Sequence, residues 1–161
     1  MLCQVALKRA SMEEGNRELA AKTQRTEEAM LVLLRHPHII EGKVREHGRD
    51  IPSLLLEKGE VDLHVLLKLF CTRSKDGQQM PPELQLSIAE QCALSLRYMH
   101  ARGYCHSNVK PPNILLFGSK KDGIRAKIAD LGMAALCDPT TGKVFPGQLL
   151  GGTEPYRGRM Q

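Results

Sequence analysis

Tryptophan is absent from these 161 residues, and phenylalanine and tyrosine occur three times each. The core must therefore be aliphatic, drawn from Leu, Ile and Val. Long runs of one charge are missing as well: the net charge is +5, yet Lys120-Lys121 and Arg157/Arg159 are the densest basic spots. Without a basic stripe interleaved with aromatic rings, nucleic-acid binding is not expected. Five cysteines, at positions 3, 71, 92, 105 and 137, give an odd count with no Cys-x-x-Cys pair. That pattern argues against a disulfide framework and points to free thiols in a reducing, cytoplasmic interior. Six His and five Cys show no ligand spacing, which sets zinc aside. The apolar start before Lys8 is too short for the core of a secretory leader, and no run approaches the ~20 residues of a membrane span.

What is present suits one domain, with 42% apolar and 25% charged residues. Gln4–Lys8 alternates like a strand, and taken alone Lys8 reads as the solvated end of an edge strand. Glu13–Arg35 reads as a helix with an apolar face at Leu19, Ala29/Met30, Leu33 and Leu34, and Pro37 blocks its continuation. A short strand over Lys43–His47 and a better one over Ser53–Glu57 follow. Lys58-Gly59-Glu60 breaks the second strand, and Val61-Asp62-Leu63 opens a short helix. Thr72–Gln79 is polar and reads as a loop. Pro82 then starts a helix that runs to Arg102, with Leu84, Ile88, Cys92, Leu96 and Met99 inward and Gly103 as its stop. Ile114–Phe117 and Ile124–Ala129 form a hairpin about the polar turn between them.

Between that helix and that hairpin lies Tyr104–Asn113, a polar loop stiffened by Pro111 and Pro112. It resembles the catalytic loop of the eukaryotic protein kinases, His-Arg-Asp-Leu-Lys-Pro-x-Asn. His106, Lys110, Pro111 and Asn113 match, and Val109 is a mild swap. Ser107 stands where the family has Arg, and Asn108 where it has the catalytic Asp. Four further stretches are similar to family signatures, in the family's order. Val5-Ala6-Leu7-Lys8 is close to the Val-Ala-Ile-Lys strand. Glu27 lies ten residues before Pro37, the spacing of the family's helix Glu that pairs with the strand Lys. Glu28 competes with it for that place, but the Glu27 spacing also turns Leu31 inward. Asp130-Leu131-Gly132 replaces Asp-Phe-Gly, its Leu supplying an apolar plug and its Gly permitting a tight turn. Gly151-Gly152-Thr153-Glu154-Pro155-Tyr156 resembles the Gly-Thr-Pro-x-Tyr exit, without the Ala-Pro-Glu that follows in the family.

The resemblance covers essentially all 161 residues. It implies an α+β, two-lobed kinase-like fold that is incomplete, cut before the glycine-rich hairpin and after the activation segment. Residues 1–57 would be the small-lobe remainder, and residues 58–161 the hinge and the large lobe. By the same resemblance Leu56 would occupy the gatekeeper position. ATP would meet Ala6, Lys8, the backbone of Glu57 to Gly59, and Leu115, with Glu27 holding Lys8. Asn113 and Asp130 would bind magnesium, and Lys110 would neutralise the γ-phosphate. Asn108 could align a substrate hydroxyl but has no basicity to take its proton. The resemblance therefore implies a Ser/Thr-type pseudokinase that binds ATP and a protein substrate or partner. The alternatives are a weakly active Ser/Thr kinase and a non-functional fragment. Ser107 removes the Arg that reads a phosphorylated activation loop, which weakens control through Thr140 or Thr141.

Overall fold

The computed structural model describes residues 5–8, 17–45, 53–73, 79–119 and 123–148. Its order is strand β1 (Val5–Lys8), helix α1 (Arg17–Leu33), strands β2 (Gly42–Arg45), β3 (Ser53–Glu57) and β4 (Val61–Asp62), then helices α2 (Leu63–Arg73) and α3 (Pro82–His100). Strands β5 (Tyr104–Cys105), β6 (Ile114–Ser119), β7 (Gly123–Ile128) and β8 (Ala135–Leu136) follow. Short 3-10 turns occupy Pro111–Asn113 and Leu131–Met133. The architecture is the α+β mixture that the sequence implies.

One antiparallel sheet has the order β1-β3-β2, and a second has β4-β6-β7. In the first, Ala6 pairs with Leu56 and Lys8 with Leu54, so these four share one face. That face meets α1, where Gly42 permits close approach: a Cβ there would lie 2.9 Å from Leu55 O and 3.3 Å from a Leu31 methyl. The second sheet is a hairpin, with Leu115 opposite Lys127. The outer edge of β7 is closed rather than bare. The Gln91 amide of α3 accepts from Ala126 N–H at 2.8 Å and donates to Ile124 C=O at 3.2 Å. His38 Nδ1 lies 3.0 Å from Ala126 C=O. The segment after α1 also bridges to Ile128, with Ile40 N–H donating to its C=O at 2.9 Å.

Two apolar cores result. One gathers Met30, Leu31, Leu34, Leu54, Leu56, Met99 and Leu131 between the first sheet, α1 and α3. The other gathers Met80, Ile88, Ile114, Leu116 and Ala126, with α2 packed against it through Leu66, Leu67 and Phe70. Both are aliphatic, as the scarcity of rings requires.

Several boundaries and faces differ from expectation. Residues 13–16 of the expected first helix and the Gly151–Tyr156 signature lie outside the described residues. In α1 the inward residues are Gln24, Glu27, Met30 and Leu31, with Leu34 just beyond, whereas Leu19, Ala29 and Leu33 are exposed. The helix is rotated so that Glu27 meets β1, and at 3.6 residues per turn that choice carries Leu19 and Leu33 outward. Val61-Asp62 does not begin a helix but pairs with Leu116 and Leu115 as a two-residue strand. α2 then starts at Leu63, with Asp62 Oδ1 accepting Val65 N–H at 2.9 Å as its cap. It continues through Thr72 and Arg73, which the polar composition placed in a loop. In α3 it is Ile88, Ser95 and Met99 that are buried, while Leu84, Cys92 and Leu96 are half-buried. Ser95 satisfies its hydroxyl on Cys92 C=O at 2.7 Å, which lets a polar side chain sit in the core.

Candidate functional site

The site forms where β1, α1, the loop after α3 and the end of β7 converge. Lys8, the last residue of β1, donates to Glu27 Oε2 at 2.6 Å and to Asp130 Oδ1 at 2.7 Å. Glu27 comes from the middle of α1 and is 1% exposed, while the Lys8 side chain is 40% exposed. Glu28 faces away and accepts from Gln24 at 3.3 Å. The choice between the two acids therefore falls on Glu27. Its second oxygen, Oε1, is buried with no hydrogen-bond partner among the described residues.

The electrostatics follow from this burial. Desolvation pulls the Lys8 ammonium down, but the Glu27 and Asp130 carboxylates outweigh it and its pKa ends above the ordinary value. Burial pushes Glu27 up, and Lys8 offsets only part of that. Burial also pushes Asp130 up, yet the Lys8 hydrogen bond and charge, with help from His106 and Lys110, bring it below the ordinary carboxylate value. The two acids of one lysine thus diverge: the deeper one carries the burden of desolvation.

Asp130 sits in the left-handed region at φ 63°, ψ 62°, where Asp is tolerated better than most residues. Ser107 has φ 62° and a buried hydroxyl with no partner among the described residues. Gly132 was expected to permit a tight turn, but positive φ falls on Asp130 instead. Gly132 is needed for close approach: a Cβ there would collide with the Thr23 methyl and lie 3.0 Å from Thr23 C=O. Leu131 is fully buried in the first core, as an apolar plug should be.

The loop before the hairpin is held from within. Asn108 N–H donates to His106 Nδ1 at 3.2 Å, so His106 carries its proton on Nε2 and donates to Ala129 C=O at 3.0 Å. Burial lowers the His106 pKa below the ordinary value, against the pull of Ala129 and Asp130, and keeps the ring neutral. Asn113 Nδ2 donates to Asn108 C=O at 2.9 Å and to Asp130 Oδ2 at 3.3 Å. Asn108 Nδ2 reaches the same Oδ2 at 3.2 Å. Lys110 is half-buried, and its charge acts on Asp130.

Lys8, Glu27, Asn108, Asn113 and Asp130 are thus joined in one bonded network. The remaining expected residues lie around it. Ala6 shares the face of Lys8 and stays exposed. Gly59 lies against Leu115, where a Cβ would come within 3.1 Å of the Leu115 Cβ. Glu60 N–H donates to Leu116 C=O at 2.9 Å, so the connector from Glu57 runs along β6. Glu57 turns its carboxylate toward the hairpin, where Lys127 Nζ donates to it at 2.5 Å and Glu41 N–H at 2.8 Å.

Lys127 escaped the sequence reading. It is 4% exposed, pairs with Glu57 and, at 3.6 Å, with Glu41, and lies 5.5 Å from the Phe117 ring centroid. Its only signal in the sequence was a cation set between the apolar residues Ala126 and Ile128. His106 was matched by motif, but its structural work was not legible until Ala129 C=O was in place.

The donor set bears on metal binding. No group of three or more His, Cys, Asp or Glu that could hold a metal occurs among the described residues. One carboxylate and one amide oxygen, from Asp130 and Asn113, suit a hard cation that arrives with phosphate oxygens of its own.

Comparison with known proteins places this geometry. A model of the protein kinase domain matches residues 2–158. The chain is 27% identical over 136 residues to cyclin-dependent kinase B2-1 of Arabidopsis thaliana, covering 81% of this chain and 41% of that protein. It is also 27% identical over 136 residues to the cell division control protein 2 homolog D of Antirrhinum majus, with the same coverage. The chain thus spans about two fifths of the length of the curated relatives it matches.

Proposed function

The chain belongs to the protein kinase family, and on that premise we propose that it is a nucleotide-binding kinase domain of Ser/Thr type with impaired phosphotransfer. Residues 1–57 supply the small-lobe portion and residues 58–161 the hinge and large-lobe portion. The observation that carries this reading is the Lys8–Glu27–Asp130 chain of ion pairs with a neutral Asn108 beside it. Phosphoryl transfer needs alignment and charge neutralisation more than covalent help from protein. Lys8 would hold the α- and β-phosphates of ATP, Lys110 would face the γ-phosphate, and Leu115 with the Glu57–Gly59 backbone would receive the adenine. Asp130 and Asn113 would hold magnesium, which would neutralise phosphate charge when bound.

Asn108 stands where a carboxylate would accept the proton of a substrate hydroxyl. Its amide can align that hydroxyl but not deprotonate it, and a positioned base contributes roughly 10²–10⁴-fold. The partner is a protein. The compartment is reducing and intracellular, in keeping with free thiols at Cys71, Cys92, Cys105 and Cys137. No helix of the described residues is long and apolar enough to cross a membrane. The second reading, a weakly active Ser/Thr kinase, draws on the complete set of Lys8, Lys110, Asn113 and Asp130.

Thermal unfolding with ATP tests the pocket. Ligand at 100 times its dissociation constant adds about 2.7 kcal/mol, and Lys8→Ala is expected to abolish the rise. Phosphotransfer by Asn108→Asp separates the two readings: a gain supports residual machinery awaiting a base, and no gain sinks the weak-enzyme reading.

A further inference from the structure

Every oxygen of the Asp130 carboxylate already has a donor in this structure. Lys8 takes Oδ1 at 2.7 Å, and the amides of Asn108 and Asn113 take Oδ2 at 3.2 and 3.3 Å. Asn108 is the telling member of this set. A carboxylate at position 108 has no proton to give, so the 3.2 Å hydrogen bond would become a contact between two anions. Two like charges that close, in a partly buried cleft, call for a counter-cation. The Asn108 amide supplies that relief from within the chain.

The charge of the cleft points the same way. Lys8 lies between Glu27 and Asp130, and Lys110 adds a second positive charge near Asp130. A carboxylate at 108 would leave the cleft with one net negative charge facing a polyphosphate. With asparagine the incoming anion meets no such excess. Glu27, the deeper acid, is already committed to Lys8.

We propose that Asn108 makes this cleft a site for a nucleoside triphosphate that does not require a divalent cation. Magnesium is admitted alongside the phosphates but is not needed to hold them. This rests on the reading that the cleft binds nucleotide, and it assigns Asn108 a positive role there rather than the mere loss of a base.

The test is equilibrium binding of ATP by titration calorimetry, in EDTA and in excess magnesium, on the natural chain and on Asn108→Asp. For the natural chain the two dissociation constants are expected within about threefold of each other. Asn108→Asp is expected to lose at least about tenfold in EDTA and to recover in magnesium. Urea unfolding of the variant confirms that it is folded, and the natural chain alone tests the metal requirement if it is not. Binding by the natural chain only in magnesium would overturn the proposal and leave the nucleotide reading standing. Equal EDTA affinity in both proteins would overturn the role of Asn108. No binding under either condition would remove the nucleotide reading itself, and this proposal with it.

Discussion

Lys8 divides its three protons between two acids that stand in different surroundings. Glu27 is 1% exposed with one oxygen unpartnered among the described residues, whereas the Lys8 side chain is 40% exposed. Removing the lysine leaves a buried anion, which typically costs about 3–5 kcal/mol. Water can reach part of this pair, so Lys8→Met is expected at about 1–3 kcal/mol. Glu27→Gln removes the charge that burial disfavours and keeps an acceptor, so it should cost less than Lys8→Met. Urea midpoints on the two variants measure the order, and the reverse order would mean that Glu27 owes its place to packing.

His106 carries a pH dependence of definite sign. Its folded pKa lies below the ordinary 6.5, so the unfolded chain takes up a proton first as pH falls. Stability is full above 6.5 and declines below it. Glu27, raised above its ordinary 4.5, acts in the opposite sense as pH falls from its folded pKa toward 4.5, and the loss from Asp130 begins only below about 3.8. Between 4.5 and 6.5 histidine and Glu27 therefore oppose each other, and a Glu27→Gln background removes the part due to the acid. His36 is lowered too, by burial and then by His38 and Arg102. A downward slope in Glu27→Gln that persists when His36→Asn is added is the expected result of urea titrations across this window. Loss of the slope in that variant would assign it to His36 instead.

At the scale of elements, the closest packing in the site is between α1 and the turn Leu131–Met133. Gly132 meets Thr23 with no room for a methyl group. Gly132→Ala is expected to destabilise by about 1–3 kcal/mol, the usual cost of overpacking. Thr23→Ser removes the colliding methyl but leaves the Thr23 carbonyl, so it should restore only part of the loss in a double-mutant cycle. Complete restoration would show that the side chain alone sets the spacing. This contact joins the helix that brings Glu27 to the turn that follows Asp130.

For the molecule as a whole, motif spacing was legible and the apolar pattern misled. Lys8, Glu27, Asn108, Asn113 and Asp130 could be picked out because the family's signatures place those residue types, or close substitutes, at ordered intervals. The apolar pattern misplaced the face of α1, because the polar residues Gln24 and Glu27 lie inward and the apolar Leu19 and Leu33 outward; only the Glu27 spacing, which turns Leu31 inward, pointed to the right rotation. Apolar periodicity reports a face only when the face is apolar. Val61-Asp62 failed for a related reason: two residues pair with β6 through backbone groups, which leave no side-chain pattern. Lys127 is a buried cation in a strand, and nothing local announces that its partners come from β3 and from the residue before β2.

That lysine has a bearing on time as well as on structure. It rises from β7 of one sheet to Glu57 at the end of β3 in the other, and so ties the two sheets together. Parting the sheets would mean separating a buried ammonium from its acid before solvent can replace it, so any such parting has a threshold. Each 1.4 kcal/mol of that threshold slows the parting about tenfold. Lys127→Met keeps the stem that packs near Phe117 and deletes the charge. If the cleft binds nucleotide as proposed, the variant should release a bound analogue at least about tenfold faster in stopped flow, with a smaller change in association rate. An unchanged release rate would mean that the cleft exchanges its contents without breaking this pair.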